Sequence, residues 1–212
     1  MSAVGCEWVG TTYREGTMAS VLSAKGTVGS SDKITKTNAP KRPEGIPCQV
    51  HHTTVKGNAY YVVVGMIGND PYEIFTGTNE EKKDLVISKD ISNGIVFKRS
   101  RGNYELVSSD KMINGQPTKI LLTNGHSDEN ADALTRMIST ALRHGADISF
   151  VVHQLEKTEG SMVAFSKVLA RTLKKYIPDG TKTGEKCPEC EAELVRREGC
   201  VSCSKCTYSK CG

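Results

Sequence analysis

The stretch NAYYVVVGMIGNDPYEIF, residues 58–75, decides the fold. Tyr60 to Val64, and then Tyr72, Ile74 and Phe75, are β-branched or aromatic residues that suit a pleated, half-buried surface. Gly68-Asn69-Asp70 stands between the two runs with the residues a tight turn needs, so the stretch predicts a hairpin. Upstream, Gly57-Asn58 is another turn signal, and Val50 belongs to a strand rising from Pro47. Downstream, Ile95 to Arg99 and Tyr104 to Val107 flank Arg101-Gly102-Asn103, and Lys119 to Leu122 adds a short run. The first half is β-rich.

Helical periodicity follows. Leu134, Met137, Ile138, Ala141 and Leu142 form one apolar stripe, with Ser127 as cap, Asp128 and Glu129 in the first turn and Gly145 beyond the last. Ile148, Val151, Val152 and Leu155 repeat the spacing behind Asp147, although their β-branching also suits a strand. A third helix is expected from Ser161, presenting Phe165, Val168, Leu169, Leu173 and Tyr176 before Pro178 ends it. Strands followed by helices predict an α+β fold, with a β-rich first half, a helical second half and a small C-terminal zinc ribbon.

The boundaries follow from composition. Residues 1–23 hold Trp8, Val9, Tyr13, Val21 and Leu22, apolar material too short to fold alone. Residues 24–43 are rich in Lys, Gly, Ser, Thr, Asn and Pro and read as a linker. Residues 44–180 form the α+β domain, and 181–212 a cysteine-rich tail. A net charge of +4 from 28 basic and 24 acidic residues is too mixed for an extended nucleic-acid surface. No apolar run approaches the roughly 20 residues that span a bilayer, and the N-terminus lacks a signal-peptide core. A soluble protein of the reducing cytoplasm is expected.

Six of the eight cysteines lie in the tail: Cys187, Cys190, Cys200, Cys203, Cys206 and Cys211. Cys187-Pro-Glu-Cys190 and Cys203-Ser-Lys-Cys206 are C-x2-C pairs separated by twelve residues, close to the spacing of a four-thiolate zinc site. Each pair forms a knuckle, while Ala192 to Val195, a turn at Arg196 to Gly199, and Cys200 to Ser202 make the hairpin between them. An alternative set uses Cys200 and Cys203 as the second pair and leaves Cys206 and Cys211 free, but its nine-residue spacing leaves no room for a returning strand. In either set four ligand places leave two thiols for redox work: Cys200 with Cys211 in the first, Cys206 with Cys211 in the second. Lys205 and Lys210 lie nearby in sequence and suit a thiolate.

The tail, with Cys-Pro-Glu-Cys190, Glu198-Gly199-Cys200, Cys203, Cys206 and Tyr208-Ser209-Lys210-Cys211-Gly212, resembles the C-terminal end of adenosylcobalamin-dependent ribonucleotide reductases. Gly5-Cys6, Gly10-Thr11-Thr12 and Tyr13-Arg14-Glu15-Gly16-Thr17 resemble the segment that closes that family's catalytic barrel. Between them, Pro40-Lys41-Arg42-Pro43 is similar to the family's lead-in to its C-terminal domain. Pro71-Tyr72-Glu73-Ile74-Phe75 is similar to its Pro-Phe-Glu-Val-Phe strand, and Arg136 to Arg143 to its helix carrying an Ile-Ser and a Leu-Arg. The single tyrosine after Thr12 favours the cobalamin class over the tyrosyl-radical class, which has adjacent tyrosines there. Glu191 and Thr207 depart from the pattern, standing where the family's knuckles carry glycine, and residues 77–116 look like an expansion.

The resemblance implies part of a ribonucleoside-diphosphate reductase serving deoxyribonucleotide biosynthesis and DNA replication, in which a thiyl radical forms by way of adenosylcobalamin bound outside this chain. Its catalytic cysteine pair becomes a disulfide, which a mobile C-terminal pair reduces before a thioredoxin-like reductant renews that pair. The implied partners are the catalytic barrel chain and that reductant. The chain alone is expected to be inactive.

The rival reading is a structural ribbon, or one that contacts protein or nucleic acid. From Thr181 onward there are six Lys or Arg and five acidic residues, with Tyr208 as the lone aromatic, so neither a basic stripe nor a stacking platform forms. His51 and His52 would point to opposite faces of a strand and are expected to be satisfied locally, not metal-bound. Cys48 reads as a small buried apolar residue, Cys6 as unpaired, and Lys167, Arg171, Lys174 and Lys175 as a solvated helix face.

Overall fold

The computed structural model describes residues 37–79, 87–122, 129–159, 164–197 and 200–210. The barrel-closing segment with Cys6, the greater part of the linker, the Ser127 cap with Asp128, the Ser161 start and Cys211 lie outside them.

An antiparallel six-stranded sheet is built from β1 (Gly45–Val55), β2 (Asn58–Ile67), β3 (Asp70–Thr78), β4 (Asn93–Ser100), β5 (Asn103–Ile113) and β6 (Gln116–Leu121) in the order β3-β2-β1-β4-β5-β6. The continuous apolar run of β2 is explained by burial on both faces. Val62 and Val64 meet the helices, whereas Tyr61 and Val63 join Cys48, Val50, Val96 and Leu106 on the other side. That second face is closed by Ile87 and Ile91, which the strand pattern did not single out, and by Leu122, the last residue of the short run from Lys119. Asn79 pins this cover, accepting from the Ile87 N–H (2.8 Å) and donating to its carbonyl (2.9 Å). The first turn falls at Lys56-Gly57, one residue before the expected pair, with φ of 48° and 86°. Both central residues are left-handed, as a type I′ hairpin requires.

Three helices, α1 (Glu129–Arg143), α2 (Ile148–Lys157) and α3 (Phe165–Leu173), cover one face. The β-branched run after Asp147 is helical, because the Asp147 side chain accepts from the Ser149 N–H at 2.7 Å and caps it. The stripe expected on α1 is shifted: Met137 is 67% exposed, and the inward face carries Ala131, Thr135, Ile138, Ser139 and Leu142. The polar members have a task. Ser139 accepts from the Ile74 N–H (3.0 Å) and donates to the Ile74 carbonyl (3.1 Å), satisfying backbone groups of the edge strand β3.

Residues 37–43, within the stretch read as linker, lie against this domain. The His144 carbonyl accepts from the Thr37 hydroxyl, the Pro40 carbonyl from the Tyr72 hydroxyl, and Glu73 from both Arg42 Nε and a terminal nitrogen. Arg143 adds a third donor to Glu73 at 2.7 Å, and the carboxylate is fully buried. The three matched motifs of the domain thus meet in one Arg42–Glu73–Arg143 cluster.

A smaller sheet, β7 (Lys182–Lys186), β8 (Glu193–Arg197), β9 (Cys200–Cys203) and β10 (Ser209–Lys210), follows in the order β10-β9-β8-β7. β8 ends two residues later than the expected strand. No helix among the described residues is long and apolar enough to cross a membrane.

Candidate functional site

The tail brings the four sulfurs of Cys187, Cys190, Cys203 and Cys206 within 4.8 Å of one another. Local hydrogen bonds shape the first knuckle: Cys187 N–H donates to the Ala192 carbonyl (2.8 Å) and Glu191 N–H to the Cys187 carbonyl (2.9 Å). Glu191 is left-handed, with φ 58°, at a position where the resemblance has glycine. In the second knuckle the backbone N–H groups of Lys205 and Cys206 both point at Cys203 Sγ, at 3.3 and 3.4 Å.

The closest sulfur pairs, Cys187 to Cys206 at 3.5 Å and Cys190 to Cys203 at 3.4 Å, suit a tetrahedral ion. Zn–S bonds of about 2.3 Å imply edges of roughly 3.8 Å. The Lys205 and Cys206 N–H groups pull the Cys203 thiol down. The Tyr208 N–H also pulls on Cys206, but burial and the neighbouring thiols push Cys206 up overall. Four thiolates repel one another unless a cation sits among them. Leu194, Cys187 and Cys203 are buried together, with Val201 and Tyr208 packed against them.

Cys200 lies on β9 but not in this cluster. Leu194 pairs with Cys203 and Arg197 with Cys200, so alternation turns Val201 and Cys203 to the cluster face and Cys200 and Ser202 to the other. Cys200 is disulfide-bonded. Cys48, Cys187, Cys190, Cys203 and Cys206 are free thiols. On the Cys200 face, the hydroxyls of Ser202 and Ser209 meet at 3.2 Å across β9 and β10.

The two lysines expected beside the redox thiols are placed elsewhere. Lys210 pairs with Val201, on the cluster face, and Lys205 belongs to the second knuckle. Arg197 is the residue opposite Cys200, a neighbour that only the hairpin register reveals.

The other candidates are held by local contacts, although the buried Nδ1 of His52 has no hydrogen-bond partner among the described residues. The His51 Nε2–H donates to the Tyr176 hydroxyl at 2.6 Å, and that hydroxyl donates to Gln49 at 2.8 Å. Burial, then Lys175 and His52, lowers the His51 pKa to about 4, so the ring is neutral. His52 donates to the Ile91 carbonyl at 3.0 Å. Burial, together with Glu73, pushes the Cys48 thiol up to about 12, which makes it inert. Lys167 and Lys174 bond Glu156 through its carbonyl and its carboxylate, respectively.

A family model described as the NrdJ homologue C-terminal domain matches residues 46–178, which takes in the six-stranded sheet and all three helices but not the cysteine tail. No curated protein and no solved structure matches the chain.

Proposed function

Since this chain belongs to the NrdJ homologue C-terminal domain family, the C-terminal part of an NrdJ-like, class II ribonucleotide reductase, we propose that its tail is the enzyme's shuttle for reducing equivalents. In this reading zinc is held by Cys187, Cys190, Cys203 and Cys206, and Cys200 with Cys211 is the exchanging pair. Adenosylcobalamin, the thiyl cysteine and the substrate pocket lie in a catalytic barrel outside this chain, which residues 1–23 complete. A thioredoxin-like protein of the cytoplasm renews the pair.

The observation that carries the reading is the division of labour on β9, with Cys203 turned to the sulfur cluster and a disulfide-bonded Cys200 turned away from it. The β9–β10 ladder supports Cys211 as the partner. Cys203 N–H donates to the Tyr208 carbonyl, so those two form a hydrogen-bonded pair and Ser202 with Ser209 a non-hydrogen-bonded one. Lys210 stands opposite Val201, so the described ladder runs up to the residues that adjoin Cys211 and Cys200 in sequence. The zinc would supply a structural clamp and neutralise its four thiolates. Cys200 and Cys211 together give two electrons and two protons to the active-site disulfide and become a disulfide themselves.

The test uses the complete reductase. Cys211→Ser is expected to suppress turnover driven by a thioredoxin system while sparing turnover driven by a small dithiol, with zinc still bound. Equal turnover with both reductants would reduce the tail to a structural ribbon.

A further inference from the structure

We propose that Arg197 is the positioning residue for the exchange, stabilising the Cys200 thiolate from the adjacent strand; this rests on the redox reading above. Arg197 and Cys200 are directly paired in the β8–β9 register, so their side chains leave the sheet on the same face. Cross-strand partners hold their β-carbons about 5 Å apart, well within reach of a guanidinium. Among the described residues Arg197 has no hydrogen bond or ion pair competing for it.

Among the described residues, the other groups around Cys200 leave this role to Arg197. On the same face β9 offers Ser202, β10 offers Ser209 and β8 offers Val195, all neutral. Lys182 of β7, opposite Val195, is held by the Glu193 carboxylate at 2.7 Å. Lys210 pairs with Val201 and belongs to the opposite face.

The chemistry gives Arg197 two moments of action. In the reduced tail the Cys200 thiolate attacks one sulfur of the target disulfide. A mixed disulfide forms, and the other target sulfur leaves as a thiolate and takes a proton. The second tail thiolate then attacks the Cys200 sulfur, closing the tail disulfide and releasing the second target sulfur, which is protonated in turn. When a dithiol reductant reopens the tail by attacking the second sulfur, Cys200 departs as a thiolate. A cation beside Cys200 favours the nucleophile in the first direction and the leaving group in the second.

The experiment reads the Cys200 thiol directly in the full-length, zinc-loaded chain reduced with a phosphine. Iodoacetamide modification of the Cys200 peptide is followed against pH by mass spectrometry. Partial screening at the surface limits the effect to roughly half a pH unit or more, so Arg197→Gln is expected to raise the midpoint by about that much and slow modification about threefold below it. Arg197→Lys should restore the midpoint, since it replaces the charge but not the shape. An unshifted midpoint in Arg197→Gln overturns the proposal, as does a shift that Arg197→Lys fails to reverse. Failure of the redox reading would look different: turnover would ignore Cys211→Ser while the Cys200 midpoint still followed the charge at residue 197.

Discussion

Glu191 shows how a single residue can be legible as an exception before its cost is visible. The sequence marks Glu191 and Thr207 alike, as non-glycine residues in the two knuckles. Of the two, only Glu191 is left-handed, because its N–H must turn back to the Cys187 carbonyl to bring Cys190 round to the sulfur cluster. A left-handed non-glycine residue costs roughly 1 kcal/mol or more. Glu191→Gly is therefore expected to strengthen zinc binding about fivefold, as read by competition with a chromogenic chelator. An unchanged or weaker affinity would mean that the Glu191 side chain compensates for its backbone. Arg197 lies at the other extreme. Nothing in the spacing of charges along the chain marks it, since its importance comes from a register that strand pairing alone sets.

At the level of elements, the first strands were legible because β-branched residues and turn signals alternate clearly, and the β1–β2, β2–β3 and β4–β5 turns fall within a residue of expectation. By contrast, β5 runs on past Val107 to Ile113 and turns at Asn114-Gly115 into a β6 that starts before Lys119, a hairpin the short runs did not bring out. The inward face of α1 was not, because it packs on an edge strand and uses hydroxyls to satisfy that strand's backbone. A search for apolar stripes passes over Thr135 and Ser139 and selects Met137, which is exposed. The cover formed by Ile87 and Ile91 was missed for a related reason: a loop residue is buried by where the chain returns, which local periodicity does not encode. The matched motifs, by contrast, find a common physical cause in Glu73. It joins β3 to the lead-in segment through Arg42 and to α1 through Arg143, with its own carboxylate fully buried and the Arg143 side chain 29% exposed. Removing one charge from a buried ion cluster leaves the others uncompensated, at a cost of about 3 kcal/mol or more. Glu73→Gln, which keeps the shape, should lower the urea midpoint of the domain accordingly. A loss below about 1 kcal/mol would mean that the two arginines relax into solvent and that the cluster does not hold the elements together.

At the scale of the whole described molecule, the domain and the tail are stabilised by different means. The two apolar clusters of the domain contain no residue beyond Ile177, whereas the tail cluster buries only Cys187, Leu194 and Cys203. So small a core cannot offset the ordering entropy of some 30 residues, and in the reading proposed above a metal held by the four thiols supplies the greater part of the missing free energy. Spacing alone brought out the sulfur cluster because its cysteines are local, with each knuckle defined by four consecutive residues. Cys187→Ser should therefore remove the zinc, about one equivalent per chain before substitution, and abolish amide protection from Lys182 to Lys210. Protection from Gly45 to Ile177 should survive, and the thermal transition of the domain should be unmoved. Chelation of the unsubstituted chain should reproduce that pattern, and added zinc should reverse it. Concerted loss of protection in domain and tail would show that the two are one cooperative unit. Protection persisting in a zinc-free tail would show that the hairpin folds without the metal, and the clamp assigned to the four thiolates would fail with it.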